Sequence, residues 1–315
     1  MTSSDGIRVG VVGTGAFGRH HVRHYAGHPA ARLVAIADVD RARAEAHAAD
    51  TGAAAFTDHR ALIGKVDAVS VAAPAAFHHA IAGDFLDAGV HVFVEKPIAI
   101  DSASAADLVA RAERAGVVLQ VGHIERFSPA VAELAKRLVA PRRIAAVRQT
   151  GWSGRSADVD VVLDLMIHDI DLVLTLAGSP VKSVEANGTA SVSGLTDEAE
   201  AWLTFANGVT ATLSASRAAP ENRRQLTVTE PATVYVADLA GPTLTVRPRA
   251  GHAEAEAVPL TPRDNLGAQI AAFLDSVANG TPPLVDGRAG AAAVAIAERI
   301  QAAIAEGSTP ARRSM

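Results

Sequence analysis

The sequence predicts two domains of different class. Residues 1–122 read as an α/β domain with a doubly wound parallel sheet, and residues 123–315 as an α+β domain with a large open, mainly antiparallel sheet. Three observations carry this. Short apolar runs alternate with helical ones through the first domain, as strand–helix–strand units require. A glycine-rich turn separates the first strand from the first helix. Beyond Val181 the pattern changes to consecutive β-rich runs, with Asn207-Gly208 as a hairpin signal.

Composition narrows the class. A length of 315 residues suits two domains, since a domain takes about 100–200. Apolar residues make up 49% of the chain, enough for a sizeable core. The net charge of −5 argues against a nucleic-acid or anionic-membrane surface. The chain has no cysteine, which removes disulfides, thiolate zinc sites and cysteine nucleophiles. No apolar run reaches the roughly 20 residues of a membrane span, and no basic-then-apolar leader is present, so a cytoplasmic protein is expected.

Residues 7–12 form the first strand and open into Gly13-Thr14-Gly15-Ala16-Phe17-Gly18, followed by a helix over 19–27. In that context the GxGxxG spacing predicts a Rossmann-type dinucleotide site. The first glycine permits the turn, the second lets a pyrophosphate approach, and the third lets helix and strand pack closely. The helix N-terminus then offers N–H groups to the phosphates. A second strand over 32–37 ends at Asp38, 20 residues after Gly18. That is the spacing at which an acid meets the adenosine ribose. A carboxylate there repels a 2′-phosphate, so NAD is preferred over NADP, while Arg41 and Arg43 are the residues that would accommodate a phosphate. Asp40 fits better as the cap of the helix starting at Arg41.

The alternation continues with a strand over 66–72 ending at Pro74 and a helix over 77–88 carrying His78 and His79. Paired histidines suggest a metal, but no third ligand lies at helical spacing, and no metal site is expected. The strand starting at His91 runs into Glu95-Lys96-Pro97, and Pro97 is expected to stop it at Lys96. That puts an ammonium group at the carboxyl end of a buried strand, where open α/β sheets hold ligands. A helix over 102–115 and a strand over 117–121 complete the domain.

The second domain opens on His123 and Arg126, then a helix over 130–138, a strand over 142–151 and a polar loop with Arg155. An apolar helix over 163–174 carries Asp164 and His168, four apart and on one face, with Asp171 three further on and Asp169 pointing elsewhere. Strands follow over 181–192, 199–205, 209–216, 225–229 and 233–236, then helices over 265–278 and 289–305. The open face of the sheet is a candidate interface for a homodimer or homotetramer. Residues 306–315 are expected to be disordered.

With these motifs together, the chain resembles the Gfo/Idh/MocA oxidoreductase family. The resemblance rests on the glycine turn, Asp38, Pro74 with His78, Glu95-Lys96-Pro97, Arg126, and Asp164 with His168. It implies reversible oxidation of a sugar or cyclitol hydroxyl by NAD(P), a cis Lys96–Pro97 bond, and oligomerisation through the second sheet. It further implies that Ala73, Pro74, His78, Glu95, Lys96 and His123 line the cofactor beside the glycine turn, Asp38 and Arg41. Lys96, Arg126, Arg155, Asp164 and His168 would meet the substrate. Two departures stand out. Ala75 follows Pro74 where the family often has asparagine, so one cofactor contact is expected to be absent, and His123 lies where many relatives carry asparagine. The stretches 123–129 and 162–171 are most similar to UDP-N-acetylglucosamine 3-dehydrogenase-like members, which oxidise the sugar 3-hydroxyl on the way to 3-amino sugars that can enter lipid A.

The expected catalytic residues are Lys96, His168 and Asp164. His168 would take the hydroxyl proton while Lys96 stabilises the charge left on oxygen, with Lys96 as base the alternative. The pyrophosphate of a nucleotide sugar would call on arginines such as Arg126, Arg155, Arg217, Arg223 and Arg224. Rival readings are an inositol or simple-sugar dehydrogenase and a non-catalytic NAD(P)-binding sensor.

Overall fold

In the computed structural model, residues 6–154, 159–250 and 254–307 are described. Arg155 and the end of the tail expected to be disordered lie outside them. The chain divides into two compact units, residues 1–124 with 264–294 and residues 125–263 with 295–315. The first division falls between residues 124 and 125. The return of residues 264–294 to the first unit differs from the expected unbroken second domain.

The first unit alternates as predicted: β1 (Ile7–Val12), α1 (Gly18–Gly27), β2 (Ala31–Ala37), α2 (Arg41–Thr51), β3 (Ala54–Phe56), β4 (Ala68–Val71), α3 (His78–Asp87), β5 (His91–Val94), α4 (Ser102–Ala115) and β6 (Leu119–Val121). The strands form one parallel sheet in the order β3-β2-β1-β4-β5-β6. The order reverses at β1, so β1 and β4 flank the crevice where doubly wound sheets bind ligands. Strands β4 and β5 are almost wholly apolar because helices cover both faces. Helix α4 starts where Asp101 caps it, accepting from Ser104 N at 2.7 Å.

The second unit carries α5 (Pro129–Arg137), β7 (Arg143–Gln149), α6 (Ile167–Ala177), β8 (Val181–Thr189), β9 (Glu198–Phe205), β10 (Thr210–Ser216), β11 (Arg223–Thr229), β12 (Thr233–Asp238), β13 (Thr243–Pro248) and β14 (Glu256–Val258). The sheet runs β14-β13-β12-β11-β7-β10-β9-β8 and is antiparallel except where β10 pairs with β7. Residues alternate along β7: Ile144, Ala146 and Arg148 are buried, while Arg143, Ala145 and Val147 line an open groove with Arg223, Gln225, Thr227 and Thr229 of β11.

Two helices close the chain, α7 (Asn265–Asn279) and α8 (Gly287–Gly307), the division between units falling within α8. The return of α7 has a packing cause. Leu266, Ile270, Phe273 and Leu274 form one apolar stripe and join Val9, Val11, Ile36 and Phe93 in the first unit's core. Gln269 is also buried there, donating to Val121 O at 3.2 Å while its own carbonyl accepts from Gln120 Nε2 at 3.1 Å.

Candidate active site

The glycine turn of the first unit is built as the motif requires. Gly13 has φ +81°, and a Cβ there would stand 2.7 Å from Ala73 N, so the turn packs directly on the end of β4. A Cβ at Gly18 would run into the carbonyl oxygen of Gly13. At Gly15 a Cβ would meet nothing within 4 Å, leaving clear space beside the backbone of the turn. Helix α1 begins behind Phe17 with no side-chain cap and no acid in its first turn. Its N–H groups and positive dipole end therefore suit an anion.

Asp38 stands at the end of β2, buried, and its Oδ2 accepts from Thr14 N at 2.8 Å and Thr14 Oγ1 at 3.0 Å. Its Oδ1 accepts from Asp40 N at 2.9 Å. Burial pushes the Asp38 carboxyl up, but those donors and the nearby Arg43 outweigh it and hold the group below its usual range. The carboxylate is thus fixed and ionised beside Thr14. Together the Gly15 clearing, the uncapped helix and this carboxylate fit a nicotinamide dinucleotide, with the pyrophosphate at the turn and a ribose at Asp38.

Several contacts differ from the sequence reading. Arg41 pairs with Glu45 at 3.4 Å along the solvent side of α2, and the arginine beside Asp38 is Arg43, 3.5 Å from Oδ2. Asp40 caps α2 as expected, accepting from Arg43 N at 3.2 Å. Strand β5 ends at Val94, two residues before Lys96, and the Glu95 side chain is buried in the domain. There its Oε1 lies 3.0 Å from His21 Nε2, and a Cβ at Gly122 would collide with its carboxylate. Glu95 is therefore a buried support of the segment that leads to Lys96. His78 is likewise enclosed, with Nδ1 2.7 Å from Pro97 O and Nε2 2.7 Å from Ala73 O. Both ring nitrogens face backbone carbonyls, so the ring is fixed between Ala73 and Pro97. Its neighbour His79 turns the other way, to Asp107 at 2.8 Å. The Lys96–Pro97 bond is cis, as the resemblance implied. Ala73 and Pro74 follow β4 against Gly13, and His123 is buried just past β6.

In the second unit, residues 162–166 form a π-helical turn that runs into α6. Asp164 lies in that turn and His168 in the first turn of α6, both half-buried. Single π turns inside helices recur at functional sites. The turn is anchored by Asp160, whose Oδ1 accepts from Val162 N and Leu163 N at 3.1 Å each and whose Oδ2 accepts from Gln301 Nε2 at 2.8 Å. Asp169 points away from this face, as expected, and pairs with Arg148.

Of the arginines expected at the substrate, Arg126 and Arg217 make internal contacts, while Arg223 and Arg224 are exposed on β11. Arg126 reaches Asp171 Oδ1 at 3.4 Å and donates to Thr175 Oγ1. Arg217 is buried, donating to Asp197 Oδ1, Val159 O and Ser193 Oγ at 2.7–2.8 Å, with its guanidinium over the Trp152 ring. Sequence reasoning also passed over His21, Asp160, Arg43's place beside Asp38, and Arg148. The run Asp160-Val161-Val162-Leu163-Asp164 before the helix was the signal that could have marked Asp160 as a cap.

The same architecture recurs in known proteins. Residues 7–123 match the model of the oxidoreductase family with an NAD-binding Rossmann fold, and residues 137–232 match the GFO/IDH/MocA C-terminal domain. A UDP-N-acetylglucosamine 3-dehydrogenase of Acidithiobacillus ferrooxidans is 38% identical over 95% of this chain and 97% of its own. The chain belongs to the Gfo/Idh/MocA family. A crystal structure of that relative superposes with a TM-score of 0.90, covering 95% of this chain and 98% of the other. An inositol 2-dehydrogenase of Saccharopolyspora erythraea is 33% identical over 93% of this chain and 92% of its own. Membership makes the protein a dehydrogenase acting on sugar hydroxyls with a dinucleotide-binding domain. Among the described residues no helix is long and apolar enough to cross a membrane.

Proposed function

We propose that the protein is an NAD-dependent dehydrogenase of a nucleotide sugar, oxidising the 3-hydroxyl of a substrate such as UDP-N-acetylglucosamine. The observation that carries this reading is the 38% identity to a UDP-N-acetylglucosamine 3-dehydrogenase, sustained through both domains. Identity to the inositol dehydrogenase is lower, at 33%. NAD is preferred over NADP because the fixed carboxylate of Asp38 accepts from ribose hydroxyls and repels a phosphate. The product, a 3-keto nucleotide sugar, is what an aminotransferase needs to make the 3-amino sugars found in lipid A.

The dinucleotide, when bound, supplies the ring that accepts the hydride. The protein's part is the proton and the charge. Lys96 donates to the substrate hydroxyl oxygen and stabilises the negative charge that develops there, a contribution of about 3–4 kcal/mol for one such group. His168 takes the hydroxyl proton, since an imidazole titrates near neutral pH. Asp164 holds that imidazole or an adjacent sugar hydroxyl. The open groove of β7 and β11 is proposed as the surface through which copies pair into a dimer or tetramer.

The test is to follow NADH absorbance with UDP-N-acetylglucosamine, other UDP-sugars and free inositols, each with NAD⁺ and NADP⁺. Turnover is expected with the UDP-sugar and NAD⁺. Turnover with inositols alone would replace the nucleotide-sugar reading with the polyol one. Lys96→Ala is expected to abolish most turnover, and His168→Ala to remove the neutral-pH limb of the kcat profile. Retention of that limb would move the base to Lys96.

A further inference from the structure

Two buried histidines of the first unit have no role in the chemistry described so far. His21 and His78 are 0% and 1% exposed, and each contacts a residue next to Lys96. His21 Nε2 lies 3.0 Å from Glu95 Oε1, and His78 Nδ1 lies 2.7 Å from Pro97 O.

The His21 side is a chain of four polar groups set in an apolar core. Tyr25 OH lies 2.8 Å from Ser70 Oγ, and Ser70 Oγ lies 3.1 Å from His21 Nδ1. Around it stand Val9, Val11, Val22 and Phe93. Burial pushes the Tyr25 phenol up, so it keeps its proton and donates. Ser70 then donates to His21 Nδ1, and His21 donates from Nε2 to Glu95. Every proton runs one way and the chain ends on the Glu95 carboxylate. Run in reverse, the chain would leave the hydrogen of a fully buried phenol without an acceptor. Buried polar networks of this kind are costly unless complete, and complete they rigidify what they hold.

The His78 side has a different logic. Both of its ring nitrogens face carbonyl oxygens at 2.7 Å. Carbonyls only accept, and a neutral imidazole has a single N–H. A neutral ring therefore donates to one carbonyl and holds its other nitrogen against the second. Burial is the largest influence on the ring and, with Lys96 beside it, holds the His78 pKa below its ordinary value. The two carbonyls and the Glu95 carboxylate act the other way.

We propose that His21 and His78 are positioning residues for Lys96: His21 fixes the carboxylate of Glu95, and His78, set between the carbonyls of Pro97 and Ala73, holds the one against the other. The residues on both sides of Lys96 are then held from inside the domain, and its ammonium departs from a fixed base. This rests on the reading of Lys96 as a catalytic residue.

The test has a spectroscopic arm and a kinetic arm. Full-length protein labelled with ¹⁵N-histidine is studied by long-range ¹H–¹⁵N correlation near neutral pH, with His78→Gln assigning the signal. A His78 ring held in one protonation state between the two carbonyls is expected to show two distinct, unaveraged nitrogen signals, and the averaged shifts of freely exchanging tautomers overturn its part. In steady-state assays, His21→Phe is expected to lower kcat about tenfold or more, because small misplacements of a catalytic group are that expensive. KM and NADH affinity by fluorescence should hardly move, and His21→Gln, which keeps a donor toward Glu95, should recover part of the rate. An unchanged kcat in folded His21→Phe overturns the positioning role. If His21→Phe fails to fold, the His21→Gln kinetics and the wild-type spectrum decide. Lys96→Ala is assayed alongside. Full turnover there removes the reading of Lys96 itself, while the His78 spectrum still reports on the clamp.

Discussion

Arg148 of β7 grips Asp169 of α6 with two parallel hydrogen bonds, Nε to Oδ2 at 3.0 Å and Nη2 to Oδ1 at 2.9 Å. Its remaining nitrogen, Nη1, donates to Glu125 Oε1 at 2.9 Å. All three groups are buried. Burial works against the Arg148 charge, but the two carboxylates more than restore it and hold its pKa raised. This triad seats the helix that carries His168 on the inner face of the sheet. Arg148→Ala would leave two buried carboxylates without their cation, and breaking such a cluster costs about 3–5 kcal/mol. Urea unfolding should show the midpoint falling accordingly. A loss within the range of an exposed ion pair would show that the triad does not anchor the helix.

The glycine turn gives a pair of substitutions with opposite signatures. Gly15→Ala adds a methyl into open space, so the melting temperature should stay close to wild type. The methyl then stands where a pyrophosphate has to approach, and NADH affinity should drop about tenfold or more. Gly18→Ala drives its methyl into the Gly13 carbonyl and should unfold the turn, with a stability loss of several kcal/mol, as overpacking against backbone implies. Differential scanning calorimetry with and without NADH separates the two. Equal behaviour of the two variants would contradict the geometry of the turn.

Asp38→Ser tests what the fixed carboxylate does. Removing it frees Arg43, which lies 3.5 Å away, from its anionic neighbour. The ratio of kcat/KM for NAD⁺ over NADP⁺ should fall by about one to two orders of magnitude, the size of one lost charge-assisted contact plus one relieved repulsion. Adding Arg43→Ala should cancel the gain for NADP⁺ without restoring NAD⁺. If Asp38→Ser leaves the ratio unchanged, the ribose contact is elsewhere.

The parts of this molecule visible in the sequence were those with a local cause. The strand–turn–helix at Gly13 to Gly18, the Asp40 cap and the spacing to Asp38 are all decided by local sequence. The alternation of strand and helix gave the first sheet, and the hairpin at Asn207-Gly208 the antiparallel one. What escaped was decided at long range. The stripe on α7 showed that the helix buries a face, but nothing local said that the face packs under Phe93, 180 residues earlier in the chain. Strands β13 and β14 are short, sit at one edge of the sheet, and were missed for lack of a sustained alternating pattern. The π turn is invisible because Asp164 and His168 keep a helix-like spacing either way. His21 carries no pattern at all, since its partners are Ser70 and a strand-end carboxylate distant in sequence.

Asp197 supplies the pH dependence expected of the second unit. Its Oδ2 accepts from Ser191 N and Val192 N at 2.7 Å each and from Ser193 N at 3.0 Å, while Oδ1 accepts from Ser193 Oγ at 2.5 Å and Arg217 Nε at 2.8 Å. Burial pushes this carboxyl up, yet so many donors hold it far below the usual carboxylate range. A group whose folded pKa is depressed stabilises the fold above its unfolded value, near 3.9 for aspartate. That stabilisation is lost as pH falls from there toward the folded value. Urea midpoints measured at descending pH should therefore decline steeply for wild type below about pH 4. Asp197→Asn keeps the shape but trades acceptors for an amide, leaving backbone N–H groups and Arg217 unmet. It should be less stable than wild type at neutral pH by about 2–4 kcal/mol, and the gap should narrow as the pH falls. A gap that stays constant with pH would mean the stabilisation does not come from the charge on Asp197.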